Sequence, residues 1–555
     1  MKIHLYQIIT RLFGNKKSVN KPNGSIDENG CGKFNDITII ALNEIKSLGI
    51  THIWYTGILE HASLTAYENE NILADYPDYV KGKAGSPYAI RDYYDVCPDL
   101  AVNVSNRMNE FIQLINRTHQ TGLKAIIDFV PNHVSRNYKS DAKPLNIKDL
   151  GKNDNNNFAF MPQNNFYYIS GEKLQLPIAK AGSQQFVEIP AKVTGNDCFT
   201  ATPSVNDWYE TVKLNYGIDY LNGKSKHFDP IPDTWVKMTD ILLFWAKKGV
   251  DGFRCDMAEM VPVEFWNYAI GRVKKEYAEI IFIAEVYNPE LYRSYIYEGG
   301  FDLLYDKVGL YDTLRGIIEG HKWANDITNC WQQTDDIREH MLCFLENHDE
   351  QRIASEFFAS DAWRAIPALV VSCCLGRCSY MQYFGQELGE KANDAEGYSG
   401  KDGRTSIFDY WGIKEHQKWM NKGAFDGALL SETQRKLRST YKTLLNLALN
   451  NETLQNAAFY DLQWFNKDNN NYNSQYIYSF LRYSEREVLL FVVNFDISTQ
   501  YVSLKIPEDA LQLSGLSLDS TGSAIYSTSN ENKSISLKQS LKLDANGVLI
   551  VKFDK

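Results

Sequence analysis

Eight short apolar runs, separated by stretches with helical periodicity, constrain this chain more than any other feature. They fall at residues 3–9, 52–56, 123–129, 250–256, 280–286, 301–305, 341–346 and 380–384. Short apolar runs bounded by turn residues read as buried strands, and strands alternating with helices read as βα units of a parallel sheet. The best-marked helix spans 233–248. Trp235, Met238, Leu242 and Trp245 recur there at helical spacing, Asp233 reads as the N-cap, and Lys247 and Lys248 precede a stop at Gly249. Eight such units predict an α/β fold, the (β/α)8 TIM barrel, whose chemistry sits where strands end and loops begin.

Two segments do not fit a plain barrel. Residues 132–229, between the third and fourth runs, are too long for an ordinary loop. With an Asn-rich stretch at 152–157 and the aromatic run Phe166-Tyr167-Tyr168, they read as a small domain inserted after strand three, over the catalytic face. Beyond residue 455 the helical pattern stops. Residues 476–483 and 488–495 alternate like antiparallel strands around a polar turn at 484–487. The helix before them opens with Ser431 and Gln434 at capping-box spacing. The expected division is a barrel of residues 1–131 and 230–454, an insert of 132–229, and a C-terminal antiparallel β-sandwich of 455–555.

Composition narrows the function. With 44% hydrophobic and 23% charged residues, the chain has the makings of an ordered core. A net charge of −11 argues against a nucleic-acid partner, which needs a basic surface, and is compatible with a neutral polar substrate such as a sugar. The 34 Tyr and 11 Trp suit sugar faces, though aromatic residues also serve core packing. The longest nearly apolar run, 365–375, contains a proline and is far shorter than a membrane span, so no membrane partner is expected. Residues 1–9 are too short and too polar for a signal segment, which makes the cytoplasm the expected compartment. The nine cysteines are odd in number and scattered. They read as reduced structural thiols, and the cluster Cys373, Cys374, Cys378 lacks the second pair a zinc site needs.

Polar residues end several of the apolar runs. The third ends Asp128-Phe129-Val130-Pro131-Asn132-His133, the fourth Gly252-Phe253-Arg254-Cys255-Asp256, and the fifth Ala284-Glu285-Val286. The seventh ends Phe344-Leu345-Glu346-Asn347-His348-Asp349. A charged group at the end of a buried strand must be paired or used. Three carboxylates, an arginine and two histidines gathered at one barrel mouth look like an acid/base site, with a barrel-closing salt-bridge network as the plainer reading.

These four segments, in order and spacing, resemble the signature regions of the α-amylase family of glycoside hydrolases, family 13. The likeness covers about residues 1–500, and Gly385-Gln386-Glu387 after the eighth run adds a fifth segment. The resemblance implies a retaining hydrolase of α-1,4-glucosidic bonds in starch- or glycogen-type glucans or maltooligosaccharides. Asp256 would be its nucleophile, Glu285 its acid/base, and Asp349 the carboxylate that holds sugar hydroxyls. Arg254, two positions before Asp256, should share its side of the strand and keep it ionised. His133 and His348 would hydrogen-bond the same sugar, and Tyr88 would stack beneath it. Acetal cleavage needs both a proton donor and a group that stabilises an oxocarbenium-like centre, so two carboxyl groups in different protonation states fit the chemistry.

Asn132 resembles the family asparagine that often binds a structural Ca²⁺ between barrel and insert, so calcium is a candidate cofactor with Asn132 a candidate ligand, and no organic cofactor is expected. Against that, Glu259 and Met260 stand where animal and fungal members carry Lys-His, and Asn132 can equally hold its loop by hydrogen bonds. Within the same chemistry, Lys213-Leu214-Asn215 is similar to the fifth-region ending of neopullulanases and cyclomaltodextrinases, and α-glucan transglycosylation is a further alternative. A non-enzymatic alternative is an inactive barrel serving as a binding or scaffold subunit, which should have lost the nucleophile or the acid. Gly30-Cys31-Gly32-Lys33 is too incomplete for a P-loop. Trp208 and Tyr209 read equally as a sugar platform or as local packing.

Overall fold

The first strand, His4–Ile9, is buried along its whole length, which requires cover on both faces and places it in the wall of a barrel. The computed structural model describes residues 2–178, 185–396, 400–529 and 534–555. Its barrel strands are His4–Ile9, His52–Thr56, Lys124–Phe129, Gly252–Cys255, Ile281–Ala284, Leu303–Tyr305, Met341–Phe344 and Ser379–Tyr383. All eight are parallel and each bonds its neighbour in sequence. The eighth closes on the first, with His4 opposite Tyr380. The expected barrel is the fold observed, with strand ends displaced by a residue or two.

Alternation along the strands sorts side chains between two cores. Leu5, Trp54, Ile126, Ile283, Leu342, Phe344 and Met381 fill the barrel interior. Tyr6, Tyr55, Ile127, Phe253 and Phe282 point outward into the layer shared with the helices. On the fourth strand this puts Phe253 and Cys255 outside and Arg254 inside, where its guanidinium lies 5.0 Å from the Trp54 ring and 5.5 Å from the Tyr305 ring.

The marked helix spans Asp233–Lys247 and stops before Gly249, whose φ of +98° is cheap only for a residue without a Cβ. One detail of its start differs from expectation. Pro232 is the N-cap, and Asp233 is the first helical residue. The Asp233 carboxylate is spent on Lys237, one turn on at 2.8 Å, rather than on the helix's own N–H groups. The capping box at Ser431 and Gln434 is present at the start of Glu432–Asn450.

The insert after the third strand is built from very short pairings. His133–Ser135 pairs with Thr211–Lys213, and Tyr168–Ile169 with Ala191–Lys192. Residues 179–184 of the expected insert lie outside the described residues. A second excursion, not anticipated, is the antiparallel pair Leu59–His61 and Ile90–Val96 between the second and third strands. It carries the chain past Tyr88.

The C-terminal unit is a six-stranded antiparallel sheet faced by the two-stranded pair Gln500–Val502 and Leu541–Leu543. Its central hairpin pairs Ile477–Tyr483 with Glu487–Asn494, Tyr483 opposite Val488, as the alternation predicts. One face, with Phe480 and Phe491, joins the barrel's outer core, while Leu481, Leu490 and Val492 pack toward Val502, Leu541 and Leu543.

Arg482 ties this unit to the barrel. Its fully buried guanidinium donates to the carbonyls of Cys374 and Gly376 on the barrel side and to Thr453, Leu454, Ala457 and Ala458 at the junction. Arg482→Met leaves buried carbonyls without donors, at about 1–3 kcal/mol for each that finds no new partner. Chemical denaturation should show a loss of roughly 3 kcal/mol or more, whereas a variant as stable as wild type would mean the junction does not depend on this arginine.

All nine cysteines are free thiols. Among the described residues, no helix is long and apolar enough to cross a membrane.

Candidate active site

The C-terminal ends of the fourth, fifth and seventh strands, and the loop leading from the third, deliver their polar residues to one cavity. It has a volume of about 390 Å³ and is lined by Tyr88, His133, Trp208, Asp256, Glu285, Tyr287, His348 and Asp349, among others. A larger cavity of about 850 Å³ lies between the barrel and the C-terminal sheet, beside Trp331 and Trp464, but holds none of these carboxylates. The strand-end carboxylates gather at the smaller one.

Arg254 organises the floor. Its Nη1 is 2.7 Å from Asp256 Oδ1, its Nη2 is 2.8 Å from Glu285 Oε1, and its Nε donates to Tyr305 Oη at 3.1 Å. Asp128 lies farther away, 3.6 Å from Nη1. One fixed positive charge therefore addresses two carboxyl groups from separate strands. Burial pushes the Asp256 carboxyl upward, and the guanidinium opposes it. Asp128 is pushed up by burial to about 7, again against Arg254.

Glu285 is held from three sides. Besides Arg254, Tyr287 Oη donates to its Oε1 at 2.7 Å, and the Met257 N–H donates to its Oε2 at 2.7 Å. Met257, directly after Asp256, has a φ of +42°, a left-handed backbone that is strained for a side-chain-bearing residue. That turn is what aims its N–H at Glu285. Glu259 accepts the N–H groups of Tyr287 and Asn288 at 3.1 and 3.0 Å, so it fixes the loop that carries Tyr287. This is the role taken here by the residue that departs from the Lys-His pattern.

His348 lies across the cavity. Gln7 Nε2 donates to its Nδ1 at 2.8 Å, which leaves the proton on Nε2, facing Tyr88 Oη at 2.5 Å and Asp349 Oδ2 at 3.2 Å. The Tyr88 and His348 rings stack at 5.2 Å, and His133 meets Trp208 edge-on at 5.3 Å. Glu346 points elsewhere and pairs with buried Arg352 at 2.9 Å.

Burial lowers His133 and His348, and also His4 and His61, to about 3 from an ordinary value of 6.5. Both cavity imidazoles are thus neutral hydrogen-bonding groups near neutral pH. The sign for stability follows. Below pH 6.5 the unfolded chain binds protons that the folded chain refuses, so stability present above pH 6.5 is lost as pH falls toward 3. The loss is about 1.4 kcal/mol per pH unit for each imidazole. His4→Gln, remote from the cavity, should flatten the fall in unfolding free energy between pH 6.5 and about 5 by one such increment. An unchanged slope would mean that the folded state accepts that proton.

The alpha amylase catalytic domain model matches residues 17–441. The chain belongs to the α-amylase family. Among curated relatives, Alpha-amylase 3 of Dictyoglomus thermophilum is 22% identical over 475 residues, 81% of this chain and 78% of that protein. An alpha-1,4-glucan:maltose-1-phosphate maltosyltransferase of Cereibacter sphaeroides is 39% identical over 265 residues, 46% of this chain and 33% of that protein. The alignments with Alpha-amylase 2 of Dictyoglomus thermophilum and the alpha-amylase of Streptomyces lividans span only 42% and 41% of those proteins. Among solved structures, a noncanonic maltogenic alpha-amylase, AmyB, from Thermotoga neapolitana aligns over all of this chain and 99% of its own. Its TM-score is 0.62 at 18% identity, a likeness of fold.

In this α-amylase family member the calcium expectation meets a different geometry. Asn132 Oδ1 accepts from Lys213 Nζ at 2.9 Å, and its Nδ2 donates to the Gly195 carbonyl at 2.7 Å. An ammonium already stands at the one oxygen the sequence offers for a metal, so the residues present do not fit a calcium ion here. Among the described residues no group of three or more His, Cys, Asp or Glu could hold a metal.

The sequence left Trp208 undecided and missed several other residues at or behind the cavity. Trp208 faces the cavity, while its neighbour Tyr209 packs with Tyr79, Val80 and Ala89, which separates the two readings left open for that pair. Lys81 and Glu210 pair at 2.7 Å on the rim. Gln7 carried a signal, as the polar residue inside an otherwise apolar first strand. Tyr287 carried a weaker one, two residues beyond Glu285. Lys33 of the glycine-flanked segment donates to the Asp99 carbonyl and cradles nothing.

Proposed function

We propose that this protein is a retaining α-glucan hydrolase that cleaves α-1,4-glucosidic bonds. The observation that carries the proposal is the single buried guanidinium of Arg254 touching both Asp256 and Glu285 at the cavity floor. Asp256 attacks the anomeric carbon while Glu285 gives its proton to the departing glucosidic oxygen, which leaves as a free hydroxyl. In the second half, Glu285 takes a proton from water, the water oxygen bonds the anomeric carbon, and Asp256 leaves as a carboxylate. Two displacements return the original configuration. In this reading Asp349, with neutral His348 beside it, holds hydroxyls of the reacting glucose, and the Tyr88 ring supports its face.

The relatives' names support a glucan as substrate and leave the acceptor open. A specific feature favours transfer as the second reading. Met257 and Tyr287, beside Glu285, and Ile407 and Phe408, from the segment packed on residues 82–84, add apolar lining to the cavity, a surface better matched to a sugar face than to water. Purified protein with soluble starch should release reducing ends, and maltoheptaose should yield shorter maltooligosaccharides. Products longer than maltoheptaose would move the proposal to transfer. No change in starch, maltoheptaose, pullulan or a cyclodextrin would reject both readings in favour of an inactive binding subunit.

A further inference from the structure

Three stretches of chain far apart in sequence converge on one buried ammonium. Asn132 follows the third barrel strand, residues 195–197 form a turn of the insert, and Lys213 ends the short strand Thr211–Lys213 paired with His133–Ser135. The Lys213 side chain is 2% exposed. Its Nζ lies 2.9 Å from Asn132 Oδ1 and 2.5 Å from Asp197 Oδ1, and 5.2 Å from the centre of the Tyr220 ring. The same three stretches are joined by backbone bonds. Leu214 N donates to the Asn132 carbonyl and Lys213 N to the Val193 carbonyl, both at 2.9 Å. A Cβ on Gly195 would come within 2.5 Å of Thr211 Oγ1 and 3.0 Å of His133 Cβ, so the turn sits as close as a glycine permits.

We infer that Lys213 is a built-in structural cation, fixing the insert to the barrel beside His133 where a divalent ion would otherwise be needed. A buried ammonium is costly unless oxygen ligands surround it, and here a carboxylate, an amide oxygen and an aromatic face do so. Its charge neutralises Asp197 and its reach orders Asn132, whose Nδ2 is 3.2 Å from His133 Nδ1. A divalent cation placed at Asn132 would face the ammonium at close range and be repelled. Folding of the junction therefore needs no metal, whether or not the chain hydrolyses glucans.

The test uses the full chain and reads melting temperature and bound metal, not turnover. After dialysis against EGTA, the melting temperature should be unchanged, addition of millimolar CaCl2 should not raise it, and elemental analysis should find calcium well below one per chain. A fall on chelation that calcium reverses, or calcium retained at one per chain, would overturn the inference. Lys213→Met keeps the stem and removes the charge, leaving Asp197 and Asn132 without their cation. It should melt at least about 3 °C lower, with Lys213→Arg closer to wild type. A Met variant that melts with the wild type would overturn the inference equally.

Discussion

Asp256→Asn should lower the turnover of soluble starch by at least about 10⁴-fold, on the order of 5.5 kcal/mol of barrier. Asparagine preserves size and can keep one contact to Arg254, but its amide cannot bond the anomeric carbon as a carboxylate does. The residue directly follows the fourth strand, and the buried Arg254 guanidinium holds it at 2.7 Å, so the substitution removes charge with little change of shape. Circular dichroism and melting should therefore stay near wild type while reducing-end release collapses. Undiminished activity would place the nucleophile elsewhere.

Glu285→Gln should have a different signature. Loss of the proton donor slows departure of a glucosyl group by about 10²–10⁴-fold, because a sugar alkoxide is a poor leaving group. A maltoside of 4-nitrophenol needs little proton assistance, so its first displacement should be largely spared, with the loss shifted to the second step where water needs a base. The kinetic record would be a burst of nitrophenol followed by a slow steady state. Equal losses on starch and on the activated maltoside would show that Glu285 is not the acid. Tyr287 Oη, the Met257 N–H and Arg254 all donate to this carboxyl; glutamine keeps an oxygen for Tyr287 and Arg254 but turns its NH2 toward the Met257 N–H, so it is the burst on the activated maltoside, not the loss on starch alone, that reads the proton-transfer role.

Much of this site was legible because barrel strands obey short-range rules. A period of two puts Arg254 and Asp256 on one side of their strand, and the parallel order of eight strands brings their ends together without any knowledge of loops. The capping box at Ser431 and the hairpin around 484–487 were legible for the same reason, each being written within a few residues. What escaped depends on long loops. Lys81 and Glu210 reach the rim from excursions whose strands are two or three residues long or broken by bulges, too short for periodicity to show, and the same irregular insert left Trp208 undecided between sugar platform and packing. Asn132 could be singled out but its partner could not, because Lys213 lies 81 residues away and meets it only through the fold. The Asp233 reading failed locally, since an Asp near a helix start can serve as a cap or as an ion-pair partner one turn on, and the preceding proline takes the capping position.

Trapping the intermediate tests the nucleophile most directly. A fluorinated maltosyl fluoride, incubated with the wild-type protein, slows both displacements but slows hydrolysis of the glycosyl-enzyme most, so the adduct should accumulate. Peptide mass spectrometry after proteolysis should then find one glycosyl unit on the peptide containing Asp256, and none on that peptide in Asp256→Asn. A label on Glu285 or Asp349 instead, or turnover to a product of inverted configuration with no adduct, would contradict the assignment of Asp256.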